Sequence, residues 1–554
     1  MKSVFTFLPL LFCCVLNAQN PNFGWAKQLG GPYSDNGNSI ITDDAGNVLT
    51  TGYFQGIADF NPDPAIANDL TSMGGTDIFI SKLDNAGNFV WAKQIGGTLD
   101  DNGKSIIIMP DASGNVYVTG YFNGTLDFDP DPAVAYNLTS AGMQDIFIIK
   151  LNSSGNFIWA KRLGGALSDS ISGITVDGSG NVYTTGAFHG TADFNPDPSI
   201  AYNLTVPGNG TNVFISKLDV SGNFVWAKQL ESISFAGGHS LALDASGNVY
   251  TCGVFYGTID FNPDPTRVYN LTSKGATDVF IEKLDALGNF VWARQLGSTS
   301  PANALAMVLD ASGNVYTSGT FSGIADFDPD PVKANNLTSK GGYDIFVSKL
   351  NASGNFVWAR QIGGAFDDEE RGMAIDDSGH LYLTGFFYGT ADFDPNPAVT
   401  YNLKPAGSYD IFISSLDTYG NFIWAKQIGG TLANGGYAIA VNSSGNLYAT
   451  GAFNGTVDFN PDPLSTYNLT STGNTDIFLV NLSANNSATN FISIANGNWS
   501  DRSTWSGGRV PSAGSVVIIN TSVNVNANSS CYSLTINPSG SVTVNSGVKL
   551  KIFN

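Results

Sequence analysis

Residues 22–31 read N-F-G-W-A-K-Q-L-G-G, from Asn22 to Gly31, and the phrase returns six times. Its tryptophan recurs as Trp91, Trp159, Trp226, Trp292, Trp358 and Trp424, at spacings of 66, 68, 67, 66, 66 and 66 residues after Trp25. A second phrase, D-F-[ND]-P-[DN]-P, keeps the same beat and opens at Asp59, Asp127, Asp193, Asp260, Asp326, Asp392 and Asp458. A fixed period of this kind decides the architecture before local propensity does, because each repeat is one supersecondary unit stacked on the next.

One period resolves into four short strands. In the third they are expected at 172–177 (strand a), 181–188 (b), 212–219 (c) and 223–230 (d), each rich in β-branched and aromatic residues. The a–b and c–d joints are D-x-S-G-N or close relatives, whose Gly and Asp or Asn suit tight turns. In d, Phe224, Trp226 and Lys228 alternate with Val225 and Ala227, the period-two pattern of a sheet with two packed faces. No helical stripe competes.

Counting strands settles the topology. The chain enters with a lone d strand around Trp25, and six complete sets follow, ending at Trp424. The last set has a at 437–441, b at 446–453 and c at 476–482, with no tryptophan phrase of its own. The orphan strand supplies the missing one. This predicts an all-β, seven-bladed β-propeller of four-stranded blades over residues 22–482, closed by N-terminal residues 23–28 pairing with 476–482. Sharing a blade removes the seam that a radial stack of sheets leaves open. A linear solenoid would have repeats nearer 20–30 residues and would leave the first strand unexplained.

The recurrent G-N-V-Y-x-T-G and D-x-F-[IV]-x-K-L-D-x-x-G-N-F-x-W-A-K-Q-[LI]-G-G resemble the repeats of bacterial seven-bladed propellers (SBBP type) in secreted and surface proteins. Asp77, Phe79 and Lys82 match in the first blade, and Asp344, Phe346 and Lys349 in the fifth. Asn212, Ser415 and Asn481 depart from the pattern in blades three, six and seven. The resemblance implies an envelope-associated or secreted propeller and carries no catalytic residues.

Composition fits. The 554 residues are 42% hydrophobic and 12% aromatic, enough for a large core, and only 13% charged. Forty-six acidic against 25 basic residues give a net charge of −21, which argues against a nucleic-acid partner. Met1-Lys2-Ser3, the apolar run 4–16 and Asn17-Ala18-Gln19 read as a secretory signal peptide, 1–18, cleaved after Ala18. Phe12 or Cys13 would occupy a position that wants a small residue, which disfavours a lipobox. No other stretch is long and apolar enough to span a membrane. Cys252 and Cys531 remain in the mature chain, in different parts of the architecture, so no disulfide scaffold is expected.

The beat stops near Leu482. Residues 483–494 read as a linker and 495–554 as a small β-rich module, with 534–536, 542–544 and 550–552 recurring every eight residues. That module resembles the opening of a β-helical or stacked-strand domain of Bacteroidetes-type surface proteins. A small sandwich, or a fragment of a longer domain, is the alternative.

In an up-and-down blade, the d–a and b–c connections share one face of the ring and the short hairpins the other. The b–c excursions are therefore the first binding candidates. They place oxygen-bearing side chains on alternate residues: Asp59, Asn61, Asp63; Asp127, Asp129, Asp131; Asp193, Asn195, Asp197; Asp260, Asn262, Asp264; Asp326, Asp328, Asp330; Asp392, Asp394, Asn396; and Asp458, Asn460, Asp462. Two readings follow. Alternate oxygens could wrap a hard cation such as Ca²⁺, although the glycine and terminal glutamate of an EF-hand are absent. Alternatively, and preferred, the aspartates bond backbone N–H groups while prolines such as Pro62 and Pro64 end the ladder and Phe60 anchors the loop between blades.

The repeated tryptophans are expected as inter-blade core, each N–H bonded locally, with the following Lys or Arg (Lys27 to Lys426) reaching the rim or a carboxylate. His189 falls in an excursion, His239 before strand a and His380 in a hairpin turn, so no zinc cluster is implied. Asp367-Asp368-Glu369-Glu370 is the sharpest break in the repeat and reads as a solvated d–a loop. The expectation is an exported, monomeric, non-catalytic scaffold, released from or displayed on a Gram-negative cell and binding an extracellular protein or glycan through its repeated loops. The alternative is a polysaccharide-active hydrolase or lyase with acidic residues near the channel.

Overall fold

The computed structural model describes residues 21–554 except 44, 110–112, 484–489, 502–503, 506–509, 512–515, 528, 532, 540, 547 and 553–554. The signal peptide and half of the linker, residues 484–489, lie outside the described residues. Phe23–Leu482 form one compact unit, and Ser483–Asn554 belong to a second.

The first unit is the seven-bladed propeller. Blade 3 shows the pattern: Ser170–Val176, Val182–Phe188, Asn212–Leu218 and Phe224–Ser232 pair antiparallel in sequence order, within two residues of the expected limits. Blade 7 combines Asn434–Val441, Leu447–Phe453 and Asp476–Ser483 with Asn22–Leu29 as its outer strand. At this closure the Gln28 side-chain amide donates to Asp476 at 2.6 Å, and Phe23 stacks on Tyr467 at 5.1 Å. Ala26 is buried in the core between blades 6 and 7.

The a strands are innermost. Asn36–Thr42 touches Asn102–Ile108 on one side and Asn434–Val441 on the other, and the same contact passes from blade to blade around the axis. The apolar cores lie between blades: Leu29, Phe60, Phe79, Tyr448 and Ile477 form the core where blade 7 meets blade 1.

Each b–c excursion folds into a short hairpin that crosses to its neighbour. In blade 3, Thr191–Asp193 pairs with Asn203–Thr205 and also with Gly164 and Gly165, the end of strand d in blade 2. The same pairing joins Gly30 to Asp59, Glu231 to Asp260, Gly297 to Asp326, Gly363 to Asp392 and Gly429 to Asp458. Backbone ladders thus cross six blade boundaries and cover part of each outer edge strand.

The second unit is a parallel β module. Val516–Ile519 lies between Asn490–Ile492 and Ser533–Ile536, Ser522–Val525 lies between Gly497–Asn498 and Ser541–Val544, and Ser529–Cys531 pairs with Leu550–Ile552. The eight-residue beat is the step from one sheet to the next, so these are stacked strands and not an antiparallel sandwich. Strand Asn490–Ile492 falls within the stretch expected as linker. The core is built on Trp499 and Trp505, 5.1 Å apart, where the Trp505 indole N–H donates to the Trp499 carbonyl at 2.8 Å.

Candidate functional site

The D-x-[ND]-x-[DN] loops are chains of turns held by their own side chains. One Asp59 carboxylate oxygen accepts from the Asn61 and Asn68 N–H groups, both at 2.8 Å, Asn61 accepts from Asp63 N–H, and Asp63 from Ala65 N–H. The first aspartate repeats this at Asp127, Asp193, Asp260, Asp326, Asp392 and Asp458, binding the N–H groups two and nine residues on. Among the described residues no group of three or more His, Cys, Asp or Glu is placed to hold a metal ion. Phe60, fully buried, packs edge-on against Phe54 at 5.3 Å and beside Phe79 at 4.9 Å, anchoring the loop as its sequence suggests.

With their bases fixed, the loop tips present exposed aliphatic side chains around the rim: Ile66, Val134, Ile200, Val268, Val332, Val399 and Leu464. Grooves of about 850 Å³ between blades 4 and 5 and about 620 Å³ between blades 2 and 3 lie beneath equivalent loops. Their linings mix charges, as with Asp328 and Asp330 beside Lys274 and Arg294. The rim is a repeated surface.

The axis is different. Every a strand carries a β-bulge at the same place, leaving one residue out of register with strand b: Asn38, Lys104, Ser172, His239, Leu305, Arg371 and Tyr437. A bulge re-aims its extra residue, and on the innermost strand that direction is the axis. All seven are partly or fully exposed, and several reach the next blade. Asn38 donates to the Asn102 side chain at 2.8 Å, and His239 Nδ1 lies 2.7 Å from the Ala304 carbonyl. Seven blades offer seven different side chains.

Towards the excursion face, this ring meets an aromatic crescent on four adjacent blades. In blade 6, Phe386, Tyr388 and Tyr409 form a triad with ring centroids 4.9–6.2 Å apart, and the Arg371 guanidinium lies 5.5 Å over Phe386 and 2.5 Å from Glu369. Burial raises the Tyr437 phenol, with Tyr409 on one side and Tyr53 on the other adding to the shift. Tyr53 in turn neighbours Tyr121, over whose ring the Lys104 ammonium sits at 5.3 Å. Blades 3, 4 and 5 have Ala187, Val254 and Thr320 where blades 1, 2 and 6 have Tyr53, Tyr121 and Phe386.

Buried acids line the blade junctions. Burial, reinforced by a neighbouring carboxylate, pushes Asp101 (beside Asp77) and Asp368 (beside Asp344) up to about 7, and Asp35 (beside Asp476) and Asp169 (beside Asp145) up to about 6. Gly164 (φ 140°) fills the gap between one such pair, since a Cβ there would lie 2.9 Å from both Asp145 and Asp169. Glu370 stands where Gly37, Gly103 and Gly238 stand in other blades. Burial pushes its carboxyl up to about 8, partly offset by the Ser318 hydroxyl. Glu282 in blade 4 is fully buried and likewise raised well above the usual range.

Four sequence expectations need correction. His239 lies within strand a, Phe235–Leu243, and not before it. Asp368, Glu369 and Glu370 are in strand Asp368–Ile375, and Asp368 and Glu370 are fully buried, so the acidic run is not a solvated loop. Alternation along an inner strand turns these two inward even though each is charged in isolation. The tryptophans do pack between blades, but Trp25, Trp91, Trp159 and Trp358 donate to carbonyls of Asn85, Ser153, Val220 and Thr418 in the next blade's c–d turn. Arg294 and Arg360 follow them there, donating to the Gly354 and Gly420 carbonyls, not to carboxylates. His380 sits in its hairpin turn against Asp376, as expected.

The axial ring had a readable signal. Its members stand thirteen residues after each repeated tryptophan, in a column where no two repeats agree. Similarity between repeats draws attention away from such a column.

Residues 24–56, 90–126 and 158–187 match the SBBP beta-propeller repeat. An uncharacterized WD repeat-containing protein, L264 of Acanthamoeba polyphaga mimivirus, is 25% identical over 78% of this chain and 36% of its own length. Regulatory protein FlaEY of Caulobacter vibrioides is 30% identical over 32% of this chain and 18% of its own. The chain thus spans well under half the length of these curated relatives. Among solved structures, Sqt1 from Chaetomium thermophilum is similar with 10% identity and a TM-score of 0.35, over 84% of this chain and 100% of that one. A protein of unknown function from Bacteroides caccae has 9% identity and a TM-score of 0.31, over 64% and 94%.

Proposed function

We propose that this chain is an exported, non-catalytic binding scaffold, secreted or held at the cell surface, that engages an extracellular protein or glycan through the loops repeated on one propeller face. The observation that carries this reading is the rim: rigid loops, fixed by their own aspartates and by ladders to the neighbouring blade, each exposing an aliphatic tip. Weak contacts repeated on a stiff ring add through effective concentration without any one site being strong. Export rests on the N-terminal signal-peptide pattern, and no described helix is long and apolar enough to cross a membrane.

Glycan-array and extracellular-protein capture by the mature chain, run beside a hydrolase and lyase substrate panel, test the proposal. Binding without turnover is expected, weakened stepwise as Val332→Glu, Leu464→Glu and Ile66→Glu are combined. Turnover of any glycan or peptide, abolished by replacing one or two acidic residues without unfolding, would overturn it in favour of the polysaccharide-active enzyme.

A further inference from the structure

The axial ring and its crescent have features that a purely structural channel does not require. The contacting rings run over blades 6, 7, 1 and 2, whereas blades 3, 4 and 5 have the small Ala187, Val254 and Thr320 at the strand-b position, so this side of the mouth has an apolar, aromatic wall. Faces of this kind pack against the apolar face of a ring-shaped ligand, while the phenol hydroxyls stay available for hydrogen bonds. Asn36, bonded to the Tyr53 hydroxyl, and Asn38 add amides along the same wall.

The charges at this mouth are unlike those of the rest of the chain. In a protein of net charge −21, two bulged side chains are cationic, Lys104 and Arg371. Arg371 is neutralised by Glu369. Lys104 forms no ion pair among the described residues: its ammonium rests over Tyr121, burial lowers its pKa, and the carboxylates near that ring, Asp100 and Asp101, are not paired with it. A half-buried ammonium without a counter-ion costs free energy unless an anion is brought to it. The geometry therefore leaves one cation unmatched beside an aromatic wall.

We propose that the channel mouth between Lys104 and the Phe386–Tyr388–Tyr409 triad is a single binding site for an anionic sugar, its ring laid on the crescent and its acid group at Lys104. This deepens the binding reading above and rests on it, but it places the ligand at one asymmetric site and not on the repeated rim. Whether the acid group is a carboxylate or a sulfate ester is for the test to decide, because a lone ammonium accepts either.

The test is titration calorimetry of the mature chain with oligogalacturonate, with uncharged galacto-oligosaccharide, and with N-acetylglucosamine 6-sulfate. One-to-one binding of an acidic probe, at least tenfold tighter than the neutral one, is expected. Lys104→Met should remove that preference while leaving the melting temperature unchanged or higher, and Lys104→Arg should restore much of it. Tyr409→Ala should weaken acidic and neutral probes alike. Equal affinity for charged and uncharged probes, several equivalents bound per chain, or no change in Lys104→Met would overturn the proposal. If none of the three sugars binds while the rim variants still alter capture of a protein or another glycan, the axial site fails and the scaffold reading survives. If neither responds, both fall.

Discussion

The rim and the axis of this propeller are built from the same seven repeats and have diverged in opposite ways. At the rim, Trp25 and Asp59 have identical counterparts in every blade, because each tryptophan fills the same inter-blade space and each aspartate ties the same two N–H groups. At the axis, the bulged position carries Asn, Lys, Ser, His, Leu, Arg and Tyr. The difference teaches where this fold stores stability and where it is free to vary. A side chain that spans a blade boundary is fixed by packing on both sides, whereas the bulged residues stay partly exposed and each makes its own contact with a neighbour, so the position accommodates different side chains.

Closure is the strongest test of the rim. Deleting residues 22–29 removes a whole strand from blade 7, with the Gln28–Asp476 bond and the Phe23–Tyr467 stack, and is expected to abolish cooperative unfolding of the propeller in calorimetry. Deleting 490–554 should leave that transition in place. Equal damage from the two truncations would mean that the rim is not what holds the ring.

Next is the tryptophan. Trp358→Ala empties a buried inter-blade site and removes the indole bond to the Thr418 carbonyl, for an expected loss of about 3–5 kcal/mol by denaturant unfolding. Leu305→Ala, on the axial ring, should cost under about 1 kcal/mol, since Leu305 is only partly buried. Comparable losses would erase the distinction between the two regions.

The loops come third. Asp326→Ala frees two N–H groups, at 3.1 and 2.9 Å in the native loop, and should cost about 1–2 kcal/mol. Chelator should leave the melting temperature where it was, because the loop oxygens already accept backbone bonds. A melting temperature that climbs with free calcium would turn the rim into a ring of metal sites.

The last test is of pH. The junction aspartates Asp35, Asp101, Asp169 and Asp368 have folded pKa values of about 6 to 7, above those of an unfolded chain, so protonation favours the fold. Their contribution is complete below about pH 4 and is lost as pH rises through 6 and 7. Turn aspartates such as Asp177 have the opposite sign: burial raises them, but bonds from Asn181 and the backbone outweigh it, so their contribution is lost only as pH falls below about 4. The melting temperature should therefore fall between pH 5 and pH 8, and Asp101→Asn should flatten that slope. A slope unchanged in this variant would assign it to the net charge alone.

The sequence by itself determined the number of blades, the order of strands within them, the N-terminal closure and the anchoring of the excursions. All of these follow from a period, a count and the local chemistry of Gly, Pro and Asp, which act within a few residues. The structure alone decided what depends on neighbours 60 residues away or across the ring. The Trp358 N–H reaches the next blade's turn, and Asp101 shares its burial with Asp77. Asp368 and Glu370 turn inward along strand a although their composition reads as a loop. The bulge that aims Lys104 and Arg371 at the axis leaves no mark in composition, because it is set by the ladder to strand b and by the closing of the ring. Seven unlike residues became one site only when the blades were arranged in a circle.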